Sequence, residues 1–213
     1  MIRTWPLVPT ILVAAAVAAM IALGFWQLER RDEKEAQIAL YRANLAKPMV
    51  SFPQFGPVPS EAMFAPSSVM CLKVINWRID GGRAVDGTTG YRHIASCRTG
   101  AEGPGALIDM GVSRDPEFKP EWAGGEARGT VTTEPDHSSV IARLLGPGPV
   151  LSPMLVSNKA APGLHVTAPP SPESVPNNHF GYAIQWFLFA AVALIIYVLA
   201  LRKREREEGL KHG

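Results

Sequence analysis

Little in this chain announces chemistry of its own. Only two of its 213 residues are cysteine, Cys71 and Cys97. That excludes a Cys-x-x-Cys redox pair and a Cys-x-x-Cys-His run for covalent haem. Two readings stay open: a disulfide in an oxidising compartment, or two buried thiols acting as small hydrophobes. A surplus of one charge is also missing. The 21 basic and 19 acidic side chains leave a net charge of +2, too little to point to nucleic acid. No GxSxG, HExxH or phosphate-cradling glycine loop occurs, and no internal repeat. Asp109, Asp115 and Glu121 show no partner for paired-carboxylate work. His137 and His165 sit in polar or proline-rich surroundings and read as surface residues. His93 and Cys97 share one face of a strand about 13 Å apart, too far for a single ion. These absences argue against an enzyme.

Charge itself is absent from two long runs, and there the chain becomes informative. Residues 4–28 carry none, and neither do residues 180–201. Each is long enough to cross a hydrocarbon core of roughly 30 Å. The first run also resembles a cleaved signal, with Arg3 as its basic end. A retained span is the better reading, because Leu23, Phe25 and Trp26 continue the apolar run. Arg202, Lys203 and Arg204 close the second span as a cytoplasmic flank. Two spans put both termini in the cytoplasm and the intervening segment outside. Arg30, Arg31 and Lys34 oppose this orientation, but a translocated segment of this length weakens their influence.

Between the spans lie 15 basic and 16 acidic residues, a net of −1 for residues 29–178. Residues 29–45 are rich in Glu, Ala, Lys, Arg and Leu and predict a helical stalk. Five prolines between Pro48 and Pro66 predict an irregular connection. Val69, Cys71, Ile75, Trp77 and Ile79 alternate on one face, interrupted at Lys73, and predict a strand. Asp80-Gly81-Gly82 and Asp86-Gly87 read as turns. Further strands are expected at 91–98, 106–112 and 127–133, and residues 140–145 form a short element of no clear type. Residues 146–176, ending in APPSPESVP, read as extended chain unable to supply a core alone.

The best constellation comes from topology. Antiparallel spans bring residues 24–30 and 177–186 to the same outer boundary. There Trp26, Gln27 and Arg30 stand near His179, Tyr182 and Trp186. His179, Tyr182, Trp186 and Phe189 share a helix face by their spacing. A neutral imidazole ligates haem iron, a guanidinium pairs with a propionate, and aromatic rings wall a flat ligand. Ordinary interfacial anchors on two helices would look the same.

Two segments resemble a known family. Leu23-Gly24-Phe25-Trp26-Gln27-Leu28-Glu29-Arg30, followed by Lys34, is similar to the LGxWQxxR…K segment of the surfeit locus proteins, assembly factors for cytochrome c oxidase. Asn177-Asn178-His179-Phe180-Gly181-Tyr182-Ala183-Ile184-Gln185-Trp186-Phe187 is similar to their NNHxxYAxxWF segment. Gly90-Tyr91 resembles the family's Gly-Tyr before a strand. Residues 106–112 (ALIDMGV) fall where the family shows something like vLVNRGW, with Asp109-Met110 replacing Asn-Arg and Val112 replacing Trp. The chain reads as a divergent member.

The resemblance implies transient binding of haem a and its handover to the oxidase catalytic subunit, in the respiratory-chain biogenesis of a bacterial inner membrane. On that reading His179 is the iron ligand or relay. Trp26, Gln27 and Arg30 shape the site, and Tyr182 and Trp186 flank the macrocycle. Partners are the catalytic subunit, haem a synthase and the lipid bilayer. Two readings of other classes stand beside it: a scaffold for an oxidase subunit that never touches haem, and an external redox or hydrolytic enzyme using His93 and Cys97. The expected architecture is a membrane α+β protein. A transmembrane helix at 1–28 and a stalk at 29–45 lead into a mainly antiparallel, periplasmic β domain at 46–178. A second transmembrane helix at 179–201 and a cytoplasmic tail at 202–213 follow.

Overall fold

A single helix, α1 (Leu7–Leu45), carries the first apolar run and the charged stretch after it without a break. The computed structural model describes residues 6–101, 105–139, 141, 142, 146 and 148–211. The expected element at 140–145 lies largely outside them, and so does Arg3. Pro6 and Pro9 fall at the start of α1, where a missing N–H costs nothing, and the Thr10 hydroxyl donates back to the Pro6 carbonyl at 2.8 Å. The second helix, α2 (His179–Lys211), carries the other run. In each, the most apolar window is only 6% buried within the chain. A core helix of a soluble domain would be covered there. These two turn their apolar side chains outward, as spans in lipid do.

Residues 1–36 and 176–213 form one compact unit, and residues 37–175 form the other. In the helical unit α1 and α2 run antiparallel. Thr10 hydrogen-bonds Tyr197 and Gln27 hydrogen-bonds His179, so the helices pair end to end. The side chains turned toward the seam recur at Thr10, Val13, Val17, Met20, Gly24 and Gln27, and at His179, Ala183, Trp186, Ala190, Ala193 and Tyr197. That three-four alternation is the coiled-coil spacing. Gly24 makes room for a side chain of α2. A Cβ there would lie 2.6 Å from the Phe187 ring, and Ala183 and Ala190 are buried beside it.

The other unit is one seven-stranded mixed sheet, mainly antiparallel. Its strands are β1 (Val50–Ser51), β2 (Pro66–Cys71), β3 (Lys73–Arg83), β4 (Thr89–Arg98), β5 (Ala106–Ser113), β6 (Gly125–Thr133) and β7 (Pro153–Ser157). Spatial order is β1-β2-β6-β7-β5-β4-β3. The sheet rolls until its two sides meet: Cys71 at the end of β2 is disulfide-bonded to Cys97 of β4, and the Leu72 N–H donates to the Arg98 carbonyl at 2.8 Å. The inner face gathers Val69, Ala95, Ile108, Val131 and Leu155 into the main core. Ile94, Met154 and Val156 form a smaller cluster on the outer face.

Three expectations need correction. The alternating run 69–79 is two strands with a corner at Leu72. Lys73 begins β3, a bulge follows between Val74 and Asn76, and Ile75 and Ile79 end up at least half-exposed while Val69 and Cys71 are buried. Gly81 and Gly82 lie inside β3, not in a turn. A Cβ on Gly82 would meet the Arg92 side chain at 2.2 Å, so this glycine makes room for a neighbour. The chain turns at Asp86-Gly87 instead, where Gly87 has φ 87°. Finally, the proline-rich stretch 146–176 does supply core. All five residues of β7 are buried, between β6 and β5.

Within this unit the last turns of α1 are clasped to the loop before β2. Asn44 is fully buried and donates to the Ser60 and Met63 carbonyls at 2.8 and 2.9 Å. Tyr41 packs on Phe64 with ring centroids 5.2 Å apart.

Candidate functional site

The seam between α1 and α2 holds one polar pair where both helices emerge from their apolar runs. His179, the first residue of α2, donates from Nδ1 to Gln27 Oε1 at 2.7 Å. In the neutral ring, an amide oxygen on Nδ1 places the hydrogen there and leaves the Nε2 lone pair for a metal or another acceptor role. Metal-binding histidines are oriented in this way by an outer partner. Both side chains are half-buried, so the imidazole is held and still reachable.

Other expected members of the constellation are spread around this pair. Trp186 lies toward the seam and stacks edge-on with Phe189 at 6.1 Å. Trp26 and Tyr182 are about half-exposed and turn outward from the seam. The Arg30 guanidinium is engaged by Glu33 one turn along its own helix. Its neighbour Arg31, which the sequence reading did not place in the site, sits above the Phe180 ring at 5.2 Å and pairs with Glu35 at 2.7 Å. Arg31, not Arg30, is therefore the cation laid across the two helices in this structure. Only the helical phase at the seam could have distinguished two adjacent arginines. Phe25 meets Phe187 edge-on at 5.4 Å, a second contact not anticipated.

In the β unit, Cys71 and Cys97 are joined, with Cα atoms 5.3 Å apart. This removes the Cys97 sulfur from any chemistry with His93. Among the described residues no three His, Cys, Asp or Glu side chains gather as a metal site. Asp109 has partners that the sequence reading did not give it. It is fully buried, accepts from Thr167 Oγ1 at 2.7 Å and from the Gly111 N–H at 3.0 Å, and lies 3.7 Å from Arg92. Arg92 also binds Asp80 at 2.8 Å. Burial pushes the Asp109 carboxyl above its usual range, against the pull of Thr167 and Arg92. His165 hydrogen-bonds Asp86 at 2.7 Å on the surface.

The model of the SURF1 family matches residues 14–191, which take in most of α1, the whole sheet and the first turns of α2. This chain belongs to the SURF1 family. It is a family of assembly factors for cytochrome oxidase, not a known family of catalysts, and the chain is a membrane protein of that kind. No curated protein matches the chain.

The head of the helix pair thus groups a positioned imidazole, two guanidinium groups each paired with a glutamate of their own helix, and half-exposed aromatic surface on Trp26, Tyr182 and Phe180. Residues of these types would suit haem as a cargo, with the imidazole toward the iron and the arginines toward its carboxylates.

Proposed function

We propose that this SURF1-family chain is a membrane-anchored carrier that holds haem a briefly and hands it to the catalytic subunit of a cytochrome c oxidase. His179 Nε2 is the iron ligand. Gln27 fixes the imidazole, Arg30 and Arg31 face the propionates, and Trp26, Tyr182 and Trp186 contact the macrocycle. The observation that carries this reading is the Nδ1–Gln27 hydrogen bond at 2.7 Å. It joins the two segments by which the chain is recognised and leaves the ligating nitrogen available. Handover requires one protein ligand on a partly open surface, not an enclosing pocket, so that the oxidase competes successfully. Haem a synthase is the donor on this reading.

The same reading sets the chain in a bacterial inner membrane, with both termini cytoplasmic and the β unit in the periplasm. Arg202, Lys203 and Arg204 support that orientation, and so does the disulfide, which belongs to an oxidising compartment.

The test is the visible spectrum of the protein purified from haem-a-producing cells. Wild type is expected to carry a Soret band at near-stoichiometric haem. His179→Ala should lose or shift it, and Gln27→Leu should shift it and weaken retention about 10- to 100-fold. A well-folded wild type without haem overturns the carrier reading and leaves a scaffold for an oxidase subunit.

A further inference from the structure

His93 is the one histidine of the β unit driven fully inside, 1% exposed, and among the described residues neither ring nitrogen has a hydrogen-bond partner. A neutral imidazole carries one N–H donor and one acceptor, and burying both unpaired is costly. The inner face of a rolled sheet has no need of such a group at that position. Ala95 and Cys97, its neighbours on the same face of β4, are ordinary core residues.

What lies over His93 is a loop, not a strand. Residues 114–124 cross from β5 to β6 past the outer edge of β3, held by two aromatic anchors. Phe118 meets the His93 ring edge-on at 5.8 Å, and Trp122 meets Trp77 at 6.4 Å. The Ala123 carbonyl accepts from Val74 N at the start of β3. Beside this loop is an open hollow of about 700 Å³, walled by Trp77, Ile79, His93, Phe118 and the loop prolines, with Glu117 and Lys119 also lining it. Its volume is in the range of small-molecule sites, and the mouth of a rolled sheet is a common place for one. Ile79 is half-exposed although its strand partner is the buried His93. The charged residues of the loop, Arg114, Asp115, Glu117, Lys119 and Glu121, are all exposed. The tip of Phe118 rests on Gly163, where a Cβ would come within 2.5 Å of it.

We propose that this hollow binds a flat, uncharged aromatic ligand bearing a hydroxyl group, which His93 holds by a hydrogen bond. Phe118 occupies the ring's place while the site is empty and swings out to admit it. The apolar walls give the affinity. The imidazole gives the selection, because a ligand that pairs with it relieves a buried polar group, and a ligand that cannot leaves it unpaired. Burial lowers the affinity of His93 for a proton, against the pull of Asp115, and a charged ligand would have to give up its own hydration at so apolar a floor. The site lies wholly within residues 37–175 and does not depend on the haem reading.

The experiment is calorimetric titration of the full chain in lipid nanodiscs, with empty nanodiscs as the blank. The probes are 4-hydroxyphenylacetamide and phenylacetamide, which differ by the hydroxyl alone. The hydroxylated probe is expected to bind about tenfold tighter or more. Phe118→Ala should tighten both, and His93→Leu should bring the two probes to one affinity. A melting transition and an intact disulfide on a non-reducing gel report folding of each variant. If His93→Leu does not fold, the ratio of the two probes on Phe118→Ala decides alone. No binding to wild type or Phe118→Ala at millimolar probe, or equal affinities on Phe118→Ala, overturns the proposal.

Discussion

Two buried side chains of the sheet pull its stability in opposite directions as pH changes. Burial pushes the Asp109 carboxyl above its usual range. The stability it contributes is complete below the ordinary aspartate value of about 4 and is lost as pH rises through the raised one. Burial pushes the His93 imidazole below its usual range, with Asp115 pulling the other way. Its contribution is complete above the ordinary histidine value of about 6.5 and is lost as pH falls toward the lowered one. Between about pH 4 and 6.5 the two slopes oppose each other. Surface carboxylates held low, such as Asp86 beside the Thr88 N–H and Glu126 beside Arg128, are common to wild type and variants alike. The difference between melting profiles therefore isolates each buried group. Asp109→Asn should show a midpoint that rises more steeply with pH than wild type over this interval, and His93→Gln one that rises less or falls. Parallel profiles for all three would mean that neither burial perturbs titration as argued. At this scale the sequence was a partial guide. Asp109 was visible as a departure from the family pattern, but its partners Arg92 and Thr167 are brought to it only by the register of β4 and the return of the chain after β7.

Among the elements, the one least visible in advance does the most. β7 is five residues long, begins at Pro153 and is set among prolines and glycines. That composition normally marks extended, unpacked chain. A strand covered on both faces shows no alternation, only a short apolar run, and MLV is too brief to stand out. Its value is positional, since it pairs parallel to β5 on one side and antiparallel to β6 on the other. Leu155 is fully buried in the main core. Leu155→Ala should destabilise the β unit by about 2–5 kcal/mol, as large-to-small core changes do, measured by chemical unfolding with Trp fluorescence. A loss below about 0.5 kcal/mol would mean that β7 is not a core element. The corner at Leu72 was partly legible for the opposite reason. Alternation continues through it and suggests a single strand, yet Lys73 breaks the apolar pattern where the chain leaves β2 for β3. The helices were legible throughout, because a charge-free run of that length has few other uses.

The whole molecule is a mixed β unit bracketed by two apolar helices, and its proposed orientation makes a direct prediction. Protease added to spheroplasts should remove the central region while epitope tags at both termini stay protected. Tags cut in intact spheroplasts would reverse the topology. The pairing of Gln27 with His179 was foreseeable at this scale alone, since nothing near either residue in sequence indicates the other. Antiparallel spans of similar length must bring the exit of one beside the entry of the next.

The position of β7 also bears on how the chain is made. A ribosome that has reached residue 150 has delivered six of the seven strands and no complete sheet. β6 and β5, which are neighbours of β7 and not of each other, wait with open edges. Until residues 153–157 arrive, two half-sheets bearing unpaired N–H and C=O groups are exposed to any other strand in reach. A truncation just short of Pro153 is therefore not a smaller version of this domain but an aggregation-prone fragment. In the cell, a nascent chain of this kind depends on the speed of its own completion.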